Sequence, residues 1–438
     1  MITKLIRVVI ALALCALAYW AYLQFQRWQS FRIEIPRQAD RVIRLNIEQL
    51  GKKLLLTDKQ EASKDPLLAR LFDAFELPPN VFAFGIKSVS SNVFFMKLGI
   101  QDKQQFDAVL DELFLSGQDS LRSNKSGTIS VLFNSNEALL ILGKDTGQRI
   151  YDLAKDYLNE KGTIPFSDSK LYEIKSRKAD LSAWGNMYHF ELNFDAGRFH
   201  GEIVNNVLPS EFAALTVPGN AALAILSKEN MFNLLGKWGI RELLPGLPLS
   251  ELSPLAAPGF ACYIDGEFPY AHEVLDYEYD EDFIKREKTS IQVLSMPQLT
   301  IKLPLAHKNA LTSLKAKGLL MGADSVNNEV LPLIPLRYLL KTNGVLMMQA
   351  NAAQDTTIAE PVKLCDKAAM MAWADFERLA AMESFRDFKP YLEKLKRLDI
   401  KHQRGETYQF ELRFTDTHTN ALRQLLRLVL SSSKANFN

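Results

Sequence analysis

The chain has 438 residues, 47% of them hydrophobic and 24% charged, with a formal net charge of +1. That length suggests two or three domains with sizeable cores, and that composition an ordinary globular protein. A near-zero balance excludes a whole-chain electrostatic footprint for nucleic acid, and three cysteines are too few for a disulfide framework.

The first residues are basic, with Lys4 and Arg7, and Val8 to Phe25 then carries no charge. This is about the length needed to cross a bilayer core. Tyr19, Trp20 and Tyr22 stand toward its far end, where amphipathic rings favour the membrane interface. No small-residue cleavage site follows, and Leu14 is bulky where a lipoprotein signal at Cys15 needs a small residue. The expectation is an uncleaved anchor over 1–25, helical from about residue 5, with Val8, Leu12, Trp20 and Tyr22 at its core and rim. Residues 26–35 then read as a linker.

A first α+β domain is expected over 36–215. Arg41 to Ile47 reads as a strand, and Ile47 to Leu56 as a short helix begun after Asn46, a good N-cap type. Asp65 to Leu77 carries an apolar stripe of Leu67, Leu68, Leu71, Phe72 and Phe75, predicting a second helix. Strands follow over Val81–Ser88 and Asn92–Ile100, then a helix over Asp102–Leu115. A hairpin of Thr128–Phe133 and Ala138–Leu142 precedes a helix over Thr146–Asn159. Leu181–Trp184 leads through the turn dipeptide Gly185-Asn186 into Tyr188–Phe194, whose strict alternation marks a half-buried strand.

The same order returns over 216–430. Pro218, Ala221 and Ile225 answer Pro36, Ala39 and Ile43, and Phe260-Ala261-Cys262-Tyr263 answers Val81-Phe82-Ala83-Phe84. Lys302-Leu303 answers Lys97-Leu98, Val345-Leu346-Met347 answers Ala138-Leu139-Leu140, and Ala372-Trp373 answers Ala183-Trp184. Tyr408–Phe414 matches Tyr188–Phe194 in alternation. The spacing is too long for a solenoid. It predicts two tandem, duplicated domains, each an antiparallel sheet with helices packed on one face, and a tail at 431–438.

Two insertions distinguish the second copy. Gly266 to Ser290 carries Asp276-Tyr277-Glu278-Tyr279-Asp280-Glu281-Asp282, then Lys285-Arg286-Glu287-Lys288. The carboxylates lack the spacing and the glycine of a calcium loop, so a solvated hairpin extension is the plainer expectation. Tyr between charges also suits a partner contact, which makes Asp276, Tyr277, Glu278, Tyr279 and Asp280 candidates. The second insertion separates Trp373 from Tyr408. Phe376, Leu379, Phe385 and Phe388 predict one helix, and Pro390 opens another carrying Leu392, Leu395 and Leu398. Its basic residues could face an anionic membrane or a partner, with Phe376, Phe385, Phe388, Lys394 and Arg397 as candidates. An extra helical layer over the copy's own sheet is the plainer alternative.

Catalytic and metal signatures are missing. None of the six histidines stands in a zinc spacing; His189 and His200 could meet across strands, although a solvated role is expected for His189. Ser167–Lys170 and Ser431–Lys434 have an S-x-x-K spacing without its companion elements. Cys262 and Cys365, the only pair outside the anchor, are expected as two buried thiols. No catalytic residue, cofactor site or metal site is assigned.

Ile35-Pro36-Arg37-Gln38-Ala39-Asp40-Arg41-Val42, renewed at Pro218-Gly219-Asn220-Ala221, resembles the start of repeats in uncharacterised bacterial cell-envelope proteins tethered to the membrane. The resemblance implies an envelope location and no known activity; the anchor, with its short tail inside, places the bulk of the chain on the periplasmic side of a bacterial inner membrane. The expectation is therefore an anchored, non-catalytic envelope protein that binds a protein partner or scaffolds an assembly. A carrier of lipid or another hydrophobic ligand is the alternative, with a hydrolase behind it.

Overall fold

The structure is a computed structural model. It describes residues 21–57, 70, 73–86, 89, 93–114, 121–124, 127–143, 147–185, 188–205, 215–237, 242–244, 247–279, 285–330, 334–351, 361–364, 368, 370–404, 407–425 and 427–428. The protein is α+β, with antiparallel sheets, and divides into two compact units. The first unit runs to Val204 and also takes His418–Arg427, ten residues that the sequence boundary groups with the second copy. The second unit holds Asn205–Thr417.

In the first unit, helix α1 covers 21–29 and crosses the boundary predicted at residue 25. The expected linker is not free: Phe31 and Ile35 are buried, and β1 (Glu34–Pro36) pairs with β9 (Thr163–Pro165). Next come β2 (Ala39–Asn46), α2 (Ile47–Thr57), β3 (Phe75–Glu76), β4 (Asn80–Ile86), β5 (Phe94–Ile100) and α3 (Lys103–Leu113). After them follow β6 (Leu121–Ser123), β7 (Ile129–Phe133), β8 (Glu137–Leu142) and α4 (Gln148–Leu158). β10 (Leu181–Gly185), β11 (Tyr188–Asp195) and β12 (Arg198–Asn205) complete the unit's strands. Most of the helix predicted over 65–77 lies outside the described residues. Its end is a strand, Phe75 and Glu76 pairing with Ile100 and Gly99, because an edge of β5 is open there.

β4 is buried at every position. That is the mark of a central strand with two apolar faces. Alternation along β4, β5, β7 and β8 sends Val81, Leu98, Val131 and Ala138 to one face, where Phe106, Val109 and Leu110 of α3 cover them. Phe95, Leu132, Leu139 and Ile141 go to the other, under Ile150, Ala154 and Tyr157 of α4. The expectation of helices on one face is thus corrected for this unit, since neither side of the sheet is polar enough to face water. Asp102 starts α3 by accepting from the amides of Gln104 and Gln105. Phe31, Phe82, Phe84 and Phe166 form a further cluster with ring centroids 5.1–6.4 Å apart. Each fully buried ring there contributes about 2–3 kcal/mol. The late segment closes the unit: buried Asn420 donates to the Phe194 carbonyl, and Gly197 N–H donates to that of Thr419.

The second unit opens with β13 (Thr216–Pro218), β14 (Leu223–Ser227), α5 (Met231–Lys237), the short pair β15 (Glu242–Leu244) and β16 (Leu247–Pro248), and α6 (Leu249–Leu252). The long β17 (Phe260–Tyr279) and β18 (Lys285–Pro304) precede α7 (Ala310–Ala316), β19 (Leu320–Met321), β20 (Ser325–Val326), β21 (Arg337–Leu340), β22 (Val345–Gln349) and β23 (Pro361–Lys363). β24 (Met370–Asp375), α8 (Phe376–Ala381), α9 (Lys389–Leu392), β25 (Leu395–Arg404) and β26 (Thr407–Phe414) follow. Helices α5, α6 and α7 pack on one face through Phe232, Leu252 and Leu314. The other face, with Ala224, Leu226 and Tyr263, packs against Val217 of β13 and Val362 of β23. Trp373 donates from its indole to the Ala221 carbonyl at 2.9 Å.

The two units share a strand order. One runs β11–β10–β2–β4–β5–β8–β7–β6, the other β25–β24–β14–β17–β18–β22–β21–β20. Register agrees too: Ile43 stands between Ala183 and Ala83, and Ile225 between Ala372 and Cys262. Two equivalences are corrected. Ala183 opposes Phe190 and Ala372 opposes Ile400, so the strand answering Tyr188–Phe194 is β25, and the Tyr408 strand lies one further on. Leu98 opposes Ala138 while Leu303 opposes Leu346, which moves that match by one residue. Period-two alternation is common to all half-buried strands, so it fixes neither identity nor register across copies.

Candidate functional site

The first insertion is a two-stranded arm. At its root, β17 pairs with β14 over Phe260–Ser227 to Ile264–Leu223, and β18 pairs with β22 over Thr300–Pro304. Beyond an irregularity between Ile264 and Glu267, the two strands pair with each other as far as Tyr279 and Lys285. At about 3.3 Å per residue, the stretch from Glu267 to Tyr279 extends roughly 40 Å.

Both faces of this ribbon meet solvent. Alternation and cross-strand pairing place Ala271, Leu275, Tyr277, Ile291 and Val293 on one face. Ile291 is 70% exposed, Val293 68% and Leu275 51%. Lys285 stands 3.5 Å over the Tyr277 ring. The opposite face carries Tyr270 and His272, with ring centroids 6.3 Å apart, and Asp276 opposite Lys288. Isolated two-stranded ribbons are marginal in water, and exposed apolar side chains grouped on one face, here with Glu273, Glu287 and Thr289 among them, are a feature of interaction surfaces. Of the candidates named from sequence, Asp276 and Tyr277 lie on the arm, Glu278 and Tyr279 form its last pairs with Arg286 and Lys285, and Asp280 lies outside the described residues. Sequence reading missed Leu275, Ile291 and Val293, whose alternation with Asp276, Ser290 and Gln292 was the available signal.

The second insertion braces the arm's root. α8 and the 3-10 turns over Glu383–Phe388 lay Leu379, Phe376 and Phe385 against Ala222, Ala374 and Leu398, and Phe268 of the arm packs into the adjoining core with Met382 and Phe385. Glu267 accepts from both the amide and the hydroxyl of Ser384, each at 3.2 Å. Burial by itself raises the Glu267 carboxyl, but these bonds outweigh it and hold the group below its ordinary value. So the two insertions meet. Phe388 is 61% exposed, and Lys394 is exposed. The helix predicted from Pro390 through Leu398 stops at Leu392; Leu395 and Leu398 belong to β25, where Arg397 pairs with Asp399 at 2.8 Å. The strand forms because β24 and β26 offer it ladders on both sides.

A polar network ties α2 to the sheet of the first unit. Lys53 donates to Asp180 at 2.7 Å and to Asp195 at 3.1 Å, and Asp195 pairs with His200 at 2.9 Å. Asp180 is fully buried and also accepts the Phe194 amide at 2.7 Å. Burial opposes the charge on Lys53, yet the two carboxylates outweigh it and raise its pKa. His189 does not join His200: its ring lies 3.6 Å from that of Trp184, and burial, then Arg177, pushes its pKa down.

Chemistry elsewhere is sparse. Among the described residues, no group of three or more His, Cys, Asp or Glu side chains could hold a metal ion. Burial pushes the Cys262 thiol up to about 12, while Cys365 lies outside the described residues. Ser167 donates to its neighbour Asp168. Ser431–Lys434 also lies outside. Among the described residues, no helix is long and apolar enough to cross a membrane. Val8, Leu12 and Trp20 lie outside them, and Tyr22 on α1 is 57% exposed.

No protein-family model matches the chain, and no curated protein matches it. Among solved structures, it is similar to crystal form I of TP0453 over 72% of this chain and 90% of that one, at 10% identity and a TM-score of 0.21. A likeness at that level carries no argument. The class these observations define is an antiparallel α+β protein of two units with one strand order.

Proposed function

We propose that this is a membrane-anchored, non-catalytic envelope protein with a duplicated α+β domain, and that the arm of its second unit docks a protein partner. The observation that carries the reading is the stripe of Leu275, Tyr277, Ile291 and Val293, held in water on a ribbon braced at its root. A partner presenting an apolar strip with complementary charge fits it, since Glu273, Lys285 and Glu287 share the stripe's face. Shared strand order and register support the duplication. The uncharged run Val8–Phe25 supports the anchor, as do exposed Tyr22, Phe25 and Trp28 on α1, which overlaps its end.

The test is affinity purification of the full-length protein from its native membrane in mild detergent. Wild type is compared with Ile291→Lys/Val293→Lys and with a deletion of Gly266–Ser290. A stoichiometric protein partner retained by wild type and lost from both variants is the expected result. Equal retention by all three rules out the arm as the docking surface.

A further inference from the structure

The first unit holds a second surface that neither the arm nor the duplication accounts for. A 280 Å³ cavity is lined by Arg27 and Phe31, by Arg44 and Asn46 of β2, by Glu48 and Gln49 at the start of α2, by Asn80, and by Lys175, Arg177 and Lys178. Five of those side chains are cationic and one is a carboxylate. Glu48 is already committed, accepting from Arg27 and from Lys52. Arg177 reaches Glu191 at 3.0 Å, and Lys175 donates to the Tyr172 hydroxyl. Lys178 is exposed and makes no ion pair among the described residues.

Arg44 is the decisive group. It is 2% exposed, its two terminal nitrogens donate to the carbonyls of Ile174 and Ala179, and its Nε has no partner. No carboxylate is hydrogen-bonded to it among the described residues. Burial pushes its pKa down, although Glu191 opposes this. A buried guanidinium with no carboxylate bonded to it and a donor left unpartnered is costly unless an anion completes it. The amino end of α2, an 11-residue helix, opens on the same cavity and adds its partial positive charge.

We propose that this cavity binds a phosphate group, with Arg44 as the buried donor and Lys178 as the exposed one. Arg44 offers its unpartnered Nε–H, its two terminal nitrogens already donating to carbonyls, and a charge-assisted bond from a guanidinium to a phosphate oxygen is a strong one. The volume falls just below the roughly 300–1,000 Å³ of sites for drug-sized ligands, which fits a phosphate carrying a small polar substituent. Two sources share that chemistry: a phospholipid headgroup and a soluble phosphate compound. The headgroup source rests on the anchored reading, because α1 brings Arg27 to the cavity directly from the apolar run; the phosphate site itself does not.

Calorimetric titration of the full-length protein in a non-ionic detergent tests this with two probes, inorganic phosphate and short-chain phosphatidylglycerol. Saturable binding is expected, weakened about tenfold by Lys178→Ala, abolished by Arg44→Met, and falling as salt rises. Tighter binding of phosphatidylglycerol assigns the site to a lipid headgroup, and equal or tighter binding of phosphate assigns it to a soluble compound. No binding of either probe, or one affinity for wild type and Lys178→Ala, overturns the proposal. Should Arg44→Met not fold, Lys175→Ala/Lys178→Ala replaces it, with the same loss expected.

Discussion

Replacing Glu48 by Gln tests how α1 is joined to the first unit. Glu48 accepts two bonds from Arg27, at 2.5 and 2.7 Å, and one from Lys52 at 2.6 Å. The Arg27 guanidinium, first, and then Lys52 hold its carboxyl at about 2 rather than the ordinary 4.5. At 1.36 kcal/mol per unit of pKa, the folded state favours the charged form by at most about 3 kcal/mol. Arg27 is 41% exposed and Lys52 56%, so solvent screening reduces this to about 1–2 kcal/mol. Because the folded pKa is depressed, the contribution is complete above about 4.5 and is lost as pH falls toward 2. Urea unfolding of the full-length protein in mild detergent should show Glu48→Gln less stable by about 1–2 kcal/mol at pH 7. That gap should close progressively between pH 4.5 and 2. A gap of constant size across this range refutes the ion-pair account.

Other expectations follow from the same geometry. Asp180→Ala removes the buried partner of Lys53 and of the Phe194 amide and should cost about 3–5 kcal/mol, read as a lower thermal midpoint. Ile291→Lys/Val293→Lys alters side chains that are 70% and 68% exposed, so stability measured by urea should stay within about 0.5 kcal/mol while partner retention is lost. Glu267→Ala removes both bonds to Ser384 and should speed amide exchange at the arm's root while leaving β22 and β24 protected. Equal exchange in wild type and variant would show that Phe268 and Phe385 hold the root without it.

Much of the fold was legible because local chemistry and tertiary context agree there. The alternation of Tyr188–Phe194, the strand expected over Arg41–Ile47 and the helices expected over Asp102–Leu115 and Thr146–Asn159 each point to the element observed. The match of Ile225 to Ile43 was legible for the same reason, and the pairing with Ala372 and Ala183 repeats it. β25 was misread because Leu392, Leu395 and Leu398 are spaced as on a helix, while irregular pairing between Leu395 and Arg397 hides the strand's own period. The cavity around Arg44 could not be read from sequence. Its partners Ile174 and Ala179 lie 130 and 135 residues away, and nothing local marks an arginine in an alternating strand as buried.

The bond from Asn420 to Phe194 spans 226 residues, and this sets an order of assembly. Domains commonly fold as they leave the ribosome, the earliest first. Here the earlier unit cannot complete itself, because Asn205–Thr417 of the second must be synthesised before Thr419 and Asn420 reach the turn at Gly197. A chain stopped after β26 retains every described strand and leaves the Phe194 carbonyl without its Asn420 donor. Lesions near residue 420 are therefore felt in the part of the protein that was made first.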